Sequence, residues 1–410
     1  MRKKDKIELF YDLLCLLKSC LWNTEYKPDG EPKYEEIYSQ FVSHAIVAMP
    51  AEQIKTTNGI DEEVRKKWVN HAYYVIYNHI KIERIQDELI QKLKEQNIRF
   101  VILKGSSASC YYPNPSLRMM GDIDIMPCRE DYNKAANILY SLCSIAPEHT
   151  NESERHLNFM YKGIVVELHQ RFSSFTDIAK TQYLDNLILT NISKDTKLCD
   201  EINGLVLLQH INQHLETGIG LRQIIDWIYF VNSYLNDINW ITHFESNAKR
   251  VGLDTLAITI TKMCKDYLGL NDSITWCDMA EKALSDELLV YILESGNFGA
   301  NRCNNTDAVS NIIIQYQNPI DMLKEFQKKG VRNWTAVQKN KLLIPFAWLY
   351  ETIQFLKIAL ERKVNGSHFL KGYIDSRARR RLMHKLDARD ISLGIAKLVD
   401  GKATIEKLHH

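Results

Sequence analysis

At 410 residues, 45% of them hydrophobic and 25% charged, the chain has material for two or three domains with a large core, which excludes a disordered protein. The 52 Lys and Arg against 51 Asp and Glu leave a formal charge of +1, so nothing demands a polyanionic partner and small substrates are favoured over tRNA or DNA. The nine cysteines, at 15, 20, 110, 128, 143, 199, 264, 277 and 303, form no CxxC pair or Cys/His cluster; reduced thiols in a cytoplasmic protein are expected.

The N-terminus, Met1-Arg2-Lys3-Lys4-Asp5-Lys6, is basic, but Glu8, Asp12 and Lys18 interrupt the apolar stretch Ile7 to Leu21, against a signal peptide. No segment reaches the roughly eighteen uncharged apolar residues that a membrane span needs. From Ile7 to about Glu95 the spacing is helical, with Leu9, Leu13, Leu16 and Leu17 in one stripe and Trp68, Ala72, Val75, Ile76 and His79 in another. Asp61 ahead of Glu62 and Glu63 predicts an N-cap opening a long helix toward Lys94, and Asn97 breaks it. Residues 1–95 are read as a helical N-terminal region.

Residues 96–200 alternate as an α/β domain with one mixed sheet. Arg99 to Lys104 predicts a buried strand, a short helix follows from Ser107, Asp122 to Met126 is a second strand, and Asp131 to Cys143 a helix. Strands near Leu157–Tyr161 and Ile164–His169 flank Lys162-Gly163, the signal of a tight hairpin. Beyond Gln170 strand signals fade, and helical runs recur at Leu205–Leu215, Leu221–Tyr234, Trp240–Val251, Leu256–Tyr267, Met279–Glu294 and Asn340–Leu360. Residues 201–410 are therefore a helical C-terminal region, and the fold class is α+β. The aromatic run Pro345 to Tyr350, continued by Ile353, Phe355 and Leu356, reads as helical core. Arg377, Arg379, Arg380, Arg381, His384 and Lys385 read as a solvated helix face in preference to an anion-binding patch.

The chemistry concentrates in Asp122-Ile123-Asp124. Residues two apart on a strand share a face, so both carboxylates project together while Ile123 and Ile125 turn into a core. Upstream, Lys104-Gly105-Ser106-Ser107 ends a strand and offers backbone N–H groups to a phosphate. Two-metal phosphoryl or nucleotidyl transfer needs a further carboxylate, and Glu167, on the apolar strand Ile164–His169, is the expected supplier.

Leu103-Lys104-Gly105-Ser106, then Arg118-x-x-Gly121-Asp122-Ile123-Asp124, then Glu167-Leu168-His169 resembles the nucleotidyltransferases of the DNA polymerase β superfamily. More narrowly it is similar to a bacterial family of uncharacterised nucleotidyltransferases with an "LKG…R..GDID" signature and a long helical extension, a likeness continued by Tyr111-Tyr112-Pro113, His210 and His214, Arg222, Asp226-Trp227 and Gly296-Asn297-Phe298-Gly299. The resemblance implies that Gly105 and Ser106, with Ser107 beside them, hold the triphosphate, that Asp122 and Asp124 bind Mg²⁺ (or Mn²⁺), and that Glu167 completes the acidic set as base. Residues 107–121 form a longer interval than is usual in the superfamily, which puts the detailed phosphate contacts in doubt. Lys104 and Arg118 are either triphosphate cations or ion-pair partners of the carboxylates.

His210 and His214 have the spacing of a zinc pair, but Ile211 stands where a metalloprotease helix has glutamate and no third ligand follows. They pack the helices on the α/β domain or, with His169, Arg222 and Asp226, line an acceptor pocket. Gly296-Asn297-Phe298-Gly299 follows a helix, so a helix-ending turn accounts for it better than a phosphate loop. The leading expectation is a magnesium-dependent enzyme moving a nucleoside monophosphate from an NTP to a small-molecule or protein acceptor. A catalytically inactive nucleotide- or partner-binding module is the alternative, disfavoured because an unused acidic cluster costs stability; a phosphate-ester hydrolase is disfavoured by the Gly-Ser turn.

Overall fold

The computed structural model describes residues 7, 10–143 except 29, and 156–301 except 174, 176, 194 and 216–217. Beyond 301 it describes residue 310, stretches of 319–387, and residues 398–399 and 402–403; Leu9 and Cys303, and the side chains of Phe355 and Leu356, lie outside the described set. The chain forms two units, residues 1–301 with 385–390 and residues 302–384 with 391–410.

The first unit opens with helices α1 (Tyr11–Trp22), α2 (Tyr34–Ser43), α3 (Ala51–Thr56) and α4 (Glu62–Glu95). The Asp61 carboxylate accepts hydrogen bonds from the N–H groups of Glu63 and Val64, capping α4 as its sequence predicts. Lys92 and Lys94 in the last turn suit the negative end of the helix, and Asn97, at φ +54°, turns the chain out of it.

The sheet then assembles from β1 (Phe100–Leu103), β2 (Asp122–Pro127), β3 (His156–Tyr161) and β4 (Ile164–His169), in the order β1-β2-β4-β3. β2 runs antiparallel to β1 and parallel to β4, while β3 and β4 form an antiparallel hairpin, so the sheet is mixed and the fold α+β. Lys162 and Gly163 have φ of +49° and +78°, the two positive values of a type I′ turn, whose twist matches the strands it joins. The connection from β1 to β2 includes a short helix, α5 (Gly105–Ser109), which starts two residues ahead of the expected Ser107, and a 3₁₀ turn at Pro115–Leu117. Helix α6 (Tyr132–Leu142) links β2 to β3.

One face of the sheet is apolar. Phe100, Ile102, Ile123, Ile125, Phe159, Ile164, Val166 and Leu168 pack with Ile82, Ile85, Leu89 and Leu93 of α4 and with Ala135, Ala136 and Leu139 of α6. Alternate residues of the same strands form the other face.

Helices α7 (Ile178–Thr190), α8 (Asp200–His214), α9 (Leu221–Ser233), a π-helical turn at Trp240–Phe244 running into α10 (Glu245–Val251), α11 (Asp254–Leu268) and α12 (Lys282–Ser295) complete this unit. Of these, α7 is not signalled by periodicity, because its buried face carries polar Thr181 and Asp185 beside Leu184 and Ile188 while apolar Ile178 is exposed; its cap is legible, with Asp177 accepting from Ala179 N–H. The free cysteines among the described residues include buried Cys128, Cys264 and Cys277.

The second unit contains α13 (Pro319–Asn333), a 3₁₀ turn at Lys341–Phe346, α14 (Ala347–Glu361), α15 (Gly366–Lys385) and a two-residue ladder of Leu398–Val399 with Lys402–Ala403. The aromatic run departs from the core reading: Ala347 is buried, but Phe346 and Leu349 are exposed. A pair of helices has one mutual face, and the remaining apolar residues turn outward. The basic run on α15 is exposed at Arg377, Arg381 and His384, whereas Arg379 is buried, with Nη1 3.7 Å from Asp375. Among the described residues no helix is long and apolar enough to cross a membrane.

Candidate active site

The polar face of the sheet carries the acids. Asp124 pairs in register with Glu167 across the parallel β2–β4 ladder, and Asp122 lies two residues back on the same side. Ligand oxygens of Asp122, Asp124 and Glu167 fall within 4.8 Å of one another, so the third carboxylate is where the strand pattern places it.

Each acid has a different environment. Burial and the neighbouring Asp124 push the Asp122 carboxyl up to about 6. Asp124 is 1% exposed, and burial opposes its charge, yet Lys104 and His169 hold its pKa well below the usual carboxylate range. Lys104 Nζ donates to Asp124 Oδ1 at 2.7 Å and lies 3.8 Å from Glu167 Oε2; His169 Nε2 is 2.7 Å from the same Asp124 oxygen and 3.3 Å from Glu167 Oε2. Burial works against charge on both partners, but the surrounding carboxylates keep the pKa of Lys104 and of His169 above their ordinary values. Lys104 itself, directly after β1, takes a positive φ of +49°.

The other oxygen of Asp124, Oδ2, is buried with no hydrogen-bond partner. An unpartnered buried carboxylate oxygen is costly, and three converging carboxylates form a hard oxygen donor set, so these residues fit a divalent cation. His156, Glu167 and His169 also approach within 4.8 Å. His169 Nε2, at 2.7 Å from Asp124 Oδ1, joins this set to the three acids.

A pocket of about 230 Å³ opens beside the cluster, lined by Lys104, Gly105, Arg118, Asp122, Glu167, His210, His214, Arg222 and Phe298. His210 and His214 share one face of α8, four residues apart, with their Nε2 atoms 2.9 Å apart. Burial lowers the pKa of both, His214 to about 3 and His210 well below the ordinary value. As neutral rings one donates and the other accepts, which two imidazolium ions cannot do. Arg222, from the first turn of α9, donates through Nη1 to Met119 O at 3.0 Å, while its Nε is buried and unpartnered. Burial and the nearby Arg118 lower its pKa, the condition of a cation that gains from an incoming anion.

The remaining expected residues are engaged by partners within the protein. Arg118 borders the pocket, but its guanidinium is committed to Asp226, with Nε–Oδ1 at 2.7 Å and Nη2–Oδ2 at 2.8 Å. Tyr112 OH donates to the same carboxylate at 2.7 Å. Both charges are almost fully buried, so bidentate pairing satisfies each and leaves Arg118 an anchor, with Asp226 beneath the pocket wall and not among its lining residues. His79 and Asn78 of α4 hold the 118–120 backbone, bonding to the carbonyls of Arg118 and Met120. Ser106 Oγ donates to Gln86 at 2.8 Å and Ser107 Oγ to Ile102 O at 2.6 Å, and both serines line a separate cavity beside Cys110, Tyr111 and Asn203. Of the Lys-Gly-Ser-Ser turn, only Lys104 and Gly105 reach the acidic pocket. A Cβ on Gly105 would come within 3.2 Å of Met120 Cε.

Phe298 is the pocket residue that periodicity and motif spacing missed. Its signal is an aromatic in the middle of a Gly-Asn-Phe-Gly turn, where a helix-ending turn has no need of one. The turn does end α12, with Gly296 as its cap.

No curated protein and no solved structure matches the chain. A family model described as uncharacterised nucleotidyltransferase matches residues 30–269, a span that holds the whole sheet, the three acids, Lys104, both pocket histidines and Arg222. The chain therefore belongs to this uncharacterised nucleotidyltransferase family.

Proposed function

We propose that the protein transfers a nucleoside monophosphate from an NTP to a hydroxyl, phosphate or side-chain acceptor, with Mg²⁺ or Mn²⁺ as the metal and pyrophosphate as the second product. The observation that carries this reading is the convergence of Asp122, Asp124 and Glu167 within 4.8 Å on one sheet face, beside a pocket that Lys104 and Arg222 line. A divalent ion held by the three carboxylates would supply Lewis-acid neutralisation of phosphate charge.

In the reaction the acceptor oxygen bonds to the α-phosphorus and the α–β anhydride bond breaks. Asp124 is held ionised by its partners and is ready as a ligand without losing a proton. Gly105 lines the pocket just after β1, and Lys104 and Arg222 beside it offset the phosphate charge. Glu167, the most accessible carboxylate of the aligned Asp124–Glu167 pair, takes the acceptor proton. Neutral His210 and His214 complete the wall without adding charge that would compete for the phosphates. The acceptor is a small molecule or a protein in this reading, in keeping with the balanced charge of the chain.

A second reading is favoured by one observation: the Lys104 ammonium already lies against Asp124 and within 3.8 Å of Glu167, a resident cation in the acidic cluster. On that reading the fold binds nucleotide without turning it over. Incubation with labelled NTPs, Mg²⁺ and cell extract decides between them. Label transferred to an acceptor with release of pyrophosphate, lost in Glu167→Gln while NTP affinity stays, supports transfer; retained nucleotide with no product supports the binding module.

A further inference from the structure

We infer that Phe298 forms a stacking subsite for the nucleobase of the triphosphate substrate, at the mouth of the acidic pocket; the inference rests on the nucleotidyl-transfer reading of that pocket. Phe298 lines the pocket together with Asp122, Glu167 and Arg222, yet its side chain is 60% exposed. Its ring meets His214 edge to face, with centroids 4.8 Å apart and planes at 78°, which leaves most of the ring uncovered. A phenylalanine kept in the open gains little from burial.

The backbone also holds it there against its own preference. Phe298 has φ +52° and ψ +30°, the left-handed region that a bulky side chain avoids. Such a conformation persists where the surroundings over-determine it, and here they do. Gly218, at φ +120°, comes so close that a Cβ on it would lie 2.5 Å from the Gly299 nitrogen, and a Cβ on Gly220 would lie 2.9 Å from Asn297. Gln223 Nε2 donates to Asn297 Oδ1 at 3.0 Å, tying the turn to α9, the helix that carries Arg222. The aromatic ring and the phosphate-facing guanidinium are thus fixed by the same helix start.

Size completes the argument. A volume of about 230 Å³ is below the roughly 300–1,000 Å³ of pockets that enclose a drug-sized ligand. Polyphosphate fits among Lys104, Gly105 and Arg222, and the base of the same molecule must lie outside, where Phe298 offers a planar apolar surface. Stacking reads the face that every base has, so the subsite tolerates different bases and favours the larger purines.

The test measures binding of ATP and of inorganic tripolyphosphate, each with Mg²⁺, to the full chain as wild type, Phe298→Asn and Phe298→Trp. Asparagine tolerates a left-handed backbone, and an exposed side chain leaves the melting temperature unmoved. Expected are a loss of ATP affinity of roughly 5- to 100-fold in Phe298→Asn, affinity kept or raised in Phe298→Trp with quenching of the new indole, and one tripolyphosphate affinity in all three. Equal ATP affinity in wild type and Phe298→Asn, with tripolyphosphate still bound, overturns the stacking subsite and spares the triphosphate pocket. An equal loss of both ligands makes Phe298 a wall of the pocket and overturns its role with the base. Failure of the wild type to bind either ligand overturns the nucleotidyl-transfer reading and this inference with it.

Discussion

The two faces of the four-stranded sheet come from alternate residues of the same strands and are built to opposite ends. On one face Ile102, Ile123, Ile125, Val166 and Leu168 are buried against α4 and α6, and each contact there lowers the energy of the fold. On the other, Asp122, Asp124 and Glu167 crowd together, one carboxyl is pushed up to about 6, and a buried carboxylate oxygen has no partner. The apolar contacts and the acidic cluster are separated by a single residue along β2 and β4. A one-residue slip of β2 would exchange them, which is why the register of that strand has to be fixed from both sides.

The sharpest way to break this comparison is to remove charge from the polar face. Asp124→Asn should lower nucleotidyl transfer by about 10³-fold, the scale at which a preorganised electrostatic group contributes, while circular dichroism stays that of the wild type. Transfer at the wild-type rate would place the chemistry elsewhere. The anchor beneath the pocket comes next. Asp226→Ala strands Arg118 as a buried unpaired charge, and urea unfolding should show a loss of about 3–5 kcal/mol; a loss below about 1 kcal/mol would mean that the pair is not holding the 118–120 segment.

On the apolar face, Ile125→Ala should reduce stability by about 2–5 kcal/mol and leave Mg²⁺-dependent NTP affinity of the folded protein unchanged. A specific loss of NTP affinity would show that the faces are coupled through β2. The smallest effect is in the pH dependence of the metal-free protein. Asp122 has a folded pKa of about 6, above its ordinary 3.8, so between these values the native state binds more protons than the unfolded chain. Stability should therefore fall as pH rises from about 4 to about 6, by about 1–3 kcal/mol from this group. Asp122→Asn should flatten that part of the profile and leave the variant more stable than wild type at neutral pH. An unchanged slope would assign the proton uptake to another group.

Much of the sheet is legible in the sequence because its determinants are local. The Asp-x-Asp spacing fixes both carboxylates to one face, the Lys162-Gly163 pair dictates its turn, and Asp61 announces the start of α4. Glu167 could be named because a charge on an apolar strand calls for a partner. The serine hydroxyls are placed by an equally physical rule. α5 begins at Gly105, and one turn of helix carries the hydroxyls of Ser106 and Ser107 round to Gln86 and Ile102.

What the sequence by itself determined is therefore the periodic part of the molecule: the α+β class, the long capped helix, the strands, and the face on which the acids stand. Local sterics and a two-residue repeat suffice for that. Tertiary structure alone decided which cation meets which anion. Arg118 and Asp226 are 108 residues apart, and their pairing, like the arrival of His214, Arg222 and Phe298 around Asp122, follows from how α8, α9 and the turn after α12 pack on one another. No spacing along the chain encodes such contacts, because the side chain that neutralises a buried charge is chosen by proximity in space after the helices have docked.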